Sequence, residues 1–299
     1  MSVGSWSFNP YLPAFPATVL PNIAYWNVSN GTWEYQVHIS WPLNWTSTSA
    51  QSTVDTLYVI DGNAQAHTAT EGFRKRRPVD FNQPDTIVVS IGYPTTQPDS
   101  PYSDGRYHDY QMPVCANCTA PELPGVPSNG DNFLAFIDQD LRPWVHSLFP
   151  NVQFDRDGLF GHSFGGLFVI YTLLSQPELF DVYLSASPFL VWNNEYIFTQ
   201  LDALKTAPQG NSTKPALQIS YGALEQSAKK RRTETQAEFE TRRDFLATMK
   251  MTDLCERLYN EIKDSPKLRD VELNIYPNSY HATVASAAIC DGIDYFLDW

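Results

Sequence analysis

Ser163, Glu225 and His281 are the three side chains whose types and order suit acyl transfer by a serine hydroxyl. Ser163 lies in Gly161-His162-Ser163-Phe164-Gly165-Gly166, between the apolar run Leu159-Phe160 and the apolar run Leu167-Phe168-Val169-Ile170-Tyr171. A strand, a Gly-x-Ser-x-Gly turn and a helix with no spare residue between them are the sequence form of a nucleophile elbow, a strained turn that exposes the serine oxygen. Gly161 and Gly165 lack a Cβ, so neighbouring backbone can approach closely and the serine can take an unfavourable conformation. A Gly/Ser turn alone carries little meaning; the flanking strand and helix supply it.

A serine hydroxyl is a weak nucleophile at its free pKa and needs a base. In the order serine, acid, histidine, the base follows the last strand. His281 stands there, in Asn278-Ser279-Tyr280-His281-Ala282-Thr283. The other histidines fit worse: His38 falls in an early strand, His67 and His108 in upstream loops, His146 on a helix. His162 lies inside the elbow, with its ring expected to point away from the serine's work. The acid belongs just after the penultimate strand, which ends Tyr221-Gly222-Ala223-Leu224-Glu225, and Glu225 would orient the imidazole and stabilise its charged form. Asp253, on the next helix, is the rival acid, and a serine–histidine dyad is the further alternative. The oxyanion site calls for the N–H of Phe164 and one from the loop Asp61-Gly62-Asn63, where Asn63 is the expected donor. An ordinary Asp-Gly turn is the competing reading of that loop.

The elements that must hold these groups are legible as runs. Residues 23–28 and 32–41 alternate around Asn30-Gly31, an antiparallel hairpin signal. Apolar runs follow at 56–60, 86–93, 182–187, 217–221 and 271–276, besides the elbow strand. Helical spacing marks 131–149, a long face from Phe239 to Ile262, and a closing helix over 284–297. Buried strands alternating with helices imply an α/β fold with a mostly parallel sheet covered on both faces. Residues 1–22, rich in proline and aromatics, read as an arm laid over the surface. No linker divides residues 23–299, which are expected to form one domain.

Composition sets outer bounds. The chain has 299 residues, 42% apolar and 18% charged, enough for a substantial core. Its net charge of −13 argues against non-specific binding to nucleic acid or an anionic membrane. No apolar run is long enough to cross a bilayer. Lys229-Lys230-Arg231-Arg232, with acids after it, reads as the solvated face of a long helix. Cys115 and Cys118 make a single Cys-x-x-Cys in a proline-rich loop, a weak zinc signal, so a local disulfide or two free thiols is the better reading. No secretory signal is visible at the amino terminus, which favours a cytoplasmic protein. Sequons at Asn27, Asn30, Asn44, Asn117 and Asn211 keep a secreted, trimmed protein as the alternative.

Five blocks and a final pair occur in a specific order: Leu57-Tyr58-Val59-Ile60-Asp61-Gly62-Asn63; Arg106-x-x-Asp109-Tyr110 with Pro113; Gly161-His162-Ser163-Phe164-Gly165-Gly166; Ser187-Pro188-Phe189-Leu190-Val191-Trp192; Gly222-x-x-Glu225; and Tyr280-His281. Together they resemble the putative-esterase family of the α/β-hydrolases over residues 23–299, in particular its siderophore-trilactone esterases. The Trp-rich arm and Pro-rich loop look most like the fungal esterases that open fusarinine-type siderophores. The resemblance implies an α/β-hydrolase fold and a serine esterase with Ser163 and His281 as the catalytic pair. It also implies Arg106 near the substrate mouth and Trp192 as a pocket wall. An ion pair of Arg106 with Asp109, fixing the loop, is the alternative for that arginine. The implied partner is a small-molecule ester, such as an iron-loaded cyclic hydroxamate or catecholate, with no metal or organic cofactor of the protein's own. Two features depart from the pattern: the Cys115–Pro127 insertion, and the long helix after Glu225, which is placed to act as a lid or to displace the acid. Carboxylesterase or thioesterase action on acyl, feruloyl or polyester substrates is the alternative function. A catalytically silent binding protein is the reading from another class.

Overall fold

A computed structural model describes residues 2–10, 21–94, 98–114, 125–206 and 213–298. Strands β1 (Ser2–Val3), β2 (Trp6–Pro10), β3 (Ile23–Ser29) and β4 (Glu34–Ser40) open the chain, followed by β5 (Ser52–Ile60), helix α1 (Gly62–Arg76) and β6 (Asp85–Gly92). Helices α2 (Arg106–Asp109), α3 (Gly130–Ala135) and α4 (Arg142–Leu148) lead to β7 (Val152–His162), α5 (Phe164–Ser175) and β8 (Val182–Ala186). The short α6 (Trp192–Glu195), β9 (Ala216–Gly222), α7 (Gln236–Met249), α8 (Met251–Ile262), β10 (Asp270–Tyr276) and α9 (His281–Asp298) complete it.

The strands form one sheet in the order β1-β2-β3-β4-β6-β5-β7-β8-β9-β10. β1 to β4 run antiparallel and β4 meets β6 antiparallel, whereas β6, β5, β7, β8, β9 and β10 are parallel. This is the mostly parallel α/β sheet expected from the runs, in the α/β-hydrolase form that the resemblance implies. Side chains on a strand alternate between faces, and β5 shows it: Val54, Tyr58 and Ile60 enter one core, Leu57 and Val59 the other. The larger core packs beneath α3, α4, α5 and α8; the smaller lies beneath α1 and α9. Strands buried on both faces have no polar alternation to mark them, which is why they read as continuous apolar runs. Among the described residues no helix is long and apolar enough to cross a membrane.

Five expectations need correction. Of the expected arm over residues 1–22, residues 1 and 11–20 lie outside the described residues, and residues 2–10 do not lie over the surface: β2 pairs with β3, and Trp6 and Phe8 enter the larger core, where Phe8 stacks on Trp144 at 4.0 Å. The hairpin turn spans Asn30 to Trp33, closed by the Asn30 N–H on the Trp33 carbonyl, because β3 and β4 pair only as far as Ser29 with Glu34. The helix read over 131–149 carries a π-helical stretch at Phe136–Leu141, just before Pro143, whose missing N–H and ring disturb the preceding turn. The long face from Phe239 to Ile262 is split at Lys250, which has φ 48°; α8 buries Leu254, Leu258 and Ile262, but α7 buries none of its residues. The basic run Lys229–Arg232 sits exposed in irregular chain ahead of α7 instead of on its face. Cys115 and Cys118, with the sequons at Asn117 and Asn211, lie outside the described residues.

Candidate active site

Open α/β sheets place their sites at the carboxyl ends of the parallel strands, and five of the six such ends contribute here. β5 leads into Asp61-Gly62-Asn63, β7 into Ser163, β8 into Ser187, β9 into Glu225 and β10 into His281. Ser163 is held at φ 61°, ψ −118°, a left-handed backbone that a residue with a Cβ rarely adopts. The turn is tight because a Cβ on Gly161 would lie 2.4 Å from the Gly165 carbonyl oxygen. The Ser163 N–H donates to the Ala186 carbonyl at 2.9 Å, and its own carbonyl accepts from Leu167 and Phe189 at 3.0 Å. Those bonds fix the strained residue from both sides.

From Ser163 Oγ, a line of hydrogen bonds runs inward. His281 Nε2 is 2.8 Å from Ser163 Oγ, and His281 Nδ1 is 2.5 Å from Glu225 Oε2. Glu225 is 2% exposed, and its other oxygen accepts from Ser187 Oγ and the Gly222 N–H, both at 2.6 Å. A buried carboxylate with two donors on one oxygen has only the other free, and that one faces the imidazole. Such a line moves a proton from the hydroxyl to Nε2 while the carboxylate stabilises the imidazolium. Asp253, the rival acid, is exposed and bonded to Gln226 instead.

Two neighbours were not foreseen. The His162 ring does not point away: its centre lies 4.5 Å from that of His281. Burial, then His281, then Arg106, drive its pKa far below the usual imidazole range, so it packs as a neutral ring. Ser187, with φ 42° and no exposure, braces Glu225. Its sequence signal was a serine ending a parallel strand just ahead of Pro188.

Phe164 opens α5, and Asn63 is the second residue of α1. The first N–H groups of a helix have no partner within it, so both are donors available to an oxyanion. Arg106 is 8% exposed, and its Nε and Nη2 donate to the two oxygens of Asp61, each at 2.9 Å. The expected ion pair with Asp109 is not formed, because Asp61 is the partner; the guanidinium carbon lies 5.9 Å from the centre of the Phe164 ring, beside the elbow. Trp192 is 1% exposed and belongs to the larger core, so it is not a pocket wall. Beside the nucleophile, buried Phe164 has the rings of Tyr107 and Phe189 with centres 5.8 Å away, and of the three Tyr107 is the exposed one.

Residues 29–257 match the family model described as "Putative esterase". A siderophore enterobactin esterase of Emericella nidulans is 37% identical, with 96% of each chain covered. A siderophore triacetylfusarinine C esterase of Aspergillus fumigatus is 30% identical over 94% of this chain and 95% of its own. Among solved structures, the siderophore hydrolase EstA of Aspergillus nidulans superposes with a TM-score of 0.87 at 36% identity, covering 96% of this chain and 98% of that one.

Proposed function

Because the chain belongs to the putative-esterase family and is thereby an ester hydrolase, we propose that it is a serine esterase that opens the ester ring of a cyclic siderophore. The observation that carries the chemistry is the line Ser163–His281–Glu225, with 2.8 Å and 2.5 Å contacts, starting from a serine held in a left-handed backbone. Similarity to siderophore esterases along almost the whole chain supports the substrate class.

In this reading Ser163 Oγ bonds to the ester carbonyl carbon as its proton passes to His281 Nε2. The carbonyl oxygen becomes an oxyanion held by the N–H groups of Phe164 and Asn63. Collapse breaks the bond to the ester alkoxy oxygen, which leaves with the proton from Nε2. Water then attacks the acyl-enzyme, giving a proton to Nε2, and the second collapse returns that proton to Ser163 and releases the carboxylic acid. In a cyclic ester the first cleavage opens the ring, and an iron ion, where present, is the substrate's cargo.

Ser163→Ala should lower turnover of p-nitrophenyl acetate by about 10⁴-fold or more with an unchanged circular dichroism spectrum. Unchanged turnover overturns the assignment. Mass spectrometry after incubation with ferric cyclic hydroxamate and catecholate siderophores, beside simple acyl and feruloyl esters, tests the substrate. Cleavage of the simple esters alone would leave a general carboxylesterase.

A further inference from the structure

The block around Arg106 and Tyr110 is built around the loop that follows β5. Asp61 has φ 54°, ψ 44°, a left-handed conformation unusual outside glycine. Gly62 is pressed on β6, where a Cβ would lie 2.9 Å from the Ser90 and Ile91 carbonyl carbons. The polar handles of the loop are occupied. The Asp61 N–H donates to the Tyr110 hydroxyl at 3.0 Å, and the Asp61 carbonyl accepts from Ala64 and Gln65. The Asp61 carboxylate takes both Arg106 bonds. The Asn63 side chain spans the Tyr93 backbone, accepting its N–H at 2.7 Å and donating to its carbonyl at 3.0 Å. The Tyr93 hydroxyl in turn donates to buried Asp109 at 2.8 Å.

This loop touches the elbow. A Cβ on Gly165 would be 3.3 Å from Asp61 Oδ2, so the carboxylate lies against the first turn of α5. The Arg106 guanidinium carbon is 5.9 Å from the centre of the Phe164 ring, so one side chain adjoins both halves of the oxyanion site. A bare carboxylate at that spot would oppose the negative charge that develops there.

We propose that Arg106 and Tyr110 are positioning residues for the oxyanion site. Arg106 neutralises the Asp61 carboxylate, and together with Tyr110 it fixes the left-handed turn that aims the Asn63 N–H. The inference rests on the serine-esterase reading above. These residues act on the transition state through Asp61, so their loss lowers kcat and leaves the Michaelis complex with a small ester alone.

The test compares Arg106→Ala, Arg106→Lys and Tyr110→Phe with the parent protein on p-nitrophenyl acetate. It also measures inhibition by an aryl trifluoromethyl ketone, whose adduct with Ser163 places an oxyanion in the same site. Arg106→Ala should reduce kcat by about 100-fold, the scale of losing one oxyanion donor, with KM within twofold and ketone affinity falling in parallel. Arg106→Lys keeps the charge without the two-point contact and should fall between. Tyr110→Phe should lose kcat by a smaller factor in the same pattern, and these two conservative variants decide the matter if Arg106→Ala does not fold. A rise in KM at constant kcat would make Arg106 a ligand contact and overturn the proposal. So would a kcat loss with undiminished ketone affinity, or no change in either. Ser163→Ala, run alongside, separates the two failures: turnover surviving it sinks the esterase reading, whereas its loss beside intact Arg106 and Tyr110 variants sinks this proposal only.

Discussion

At the scale of single residues, Asp109 is a carboxyl at odds with its surroundings. Burial pushes its carboxyl up to about 6, although Asn129 and Tyr93 both donate to it. The folded protein holds this proton through a range where the unfolded chain, at 3.8, has released it. Stability from this group is therefore full below about pH 4 and lost as pH rises through about 6. Against Asp109→Asn, which does not titrate, the parent should gain up to about 3 kcal/mol between pH 7.5 and pH 4. Thermal unfolding of both proteins across that range checks it, and a constant difference would reject it. Ser163, Glu225 and His281 were legible as a trio because the chemistry requires those types at successive strand ends, and the structure brings them together. The ion-pair partner of Arg106 and the place of Trp192 differ from expectation for a physical reason. A motif fixes a residue in place but does not say whether its side chain faces a ligand, a buried carboxylate or the core. The His162 ring was missed likewise, since its direction depends on how β7 turns into α5.

Among the elements, α7 stands apart. Its residues are all at least partly exposed, and its order rests on local devices. The Thr235 hydroxyl caps the Glu238 N–H while the Glu238 carboxylate returns to the Thr235 N–H. Arg242 pairs with Glu234, and Tyr280, next to His281, contacts the Lys229 backbone. Thr235→Ala should cost this helix about 1 kcal/mol, read as roughly fivefold faster hydrogen exchange in α7 at an unchanged global melting temperature. A fall in the global melting temperature would show instead that α7 unfolds with the core. Apolar spacing alone could not separate α7 from α8, because Phe239, Leu246 and Met249 keep the helical period without the burial it usually signals. The parallel strands were easier, since burial on both faces leaves an unbroken apolar run.

For the whole molecule, the sheet extends beyond its parallel half into an antiparallel wing that the first residues complete. Phe8 is 2% exposed and stacked on Trp144, so Phe8→Ala should cost about 3–5 kcal/mol in a denaturant titration. A cost below about 1 kcal/mol would make β2 an appendage. Sequence reading missed this wing because five residues of mixed polarity containing Asn9 and Pro10 carry no strand signal until β3 is beside them. Ser163, Glu225 and His281, by contrast, are gathered from strand ends far apart in the chain, and Ser163 and His281 are separated by 118 residues. A ribosome delivers Ser163 long before His281, and the proposed base reaches the proposed nucleophile only once β10 has joined the sheet. In the proposed mechanism a nascent chain thus carries its serine without its base until the strand at the far edge of the sheet has been made.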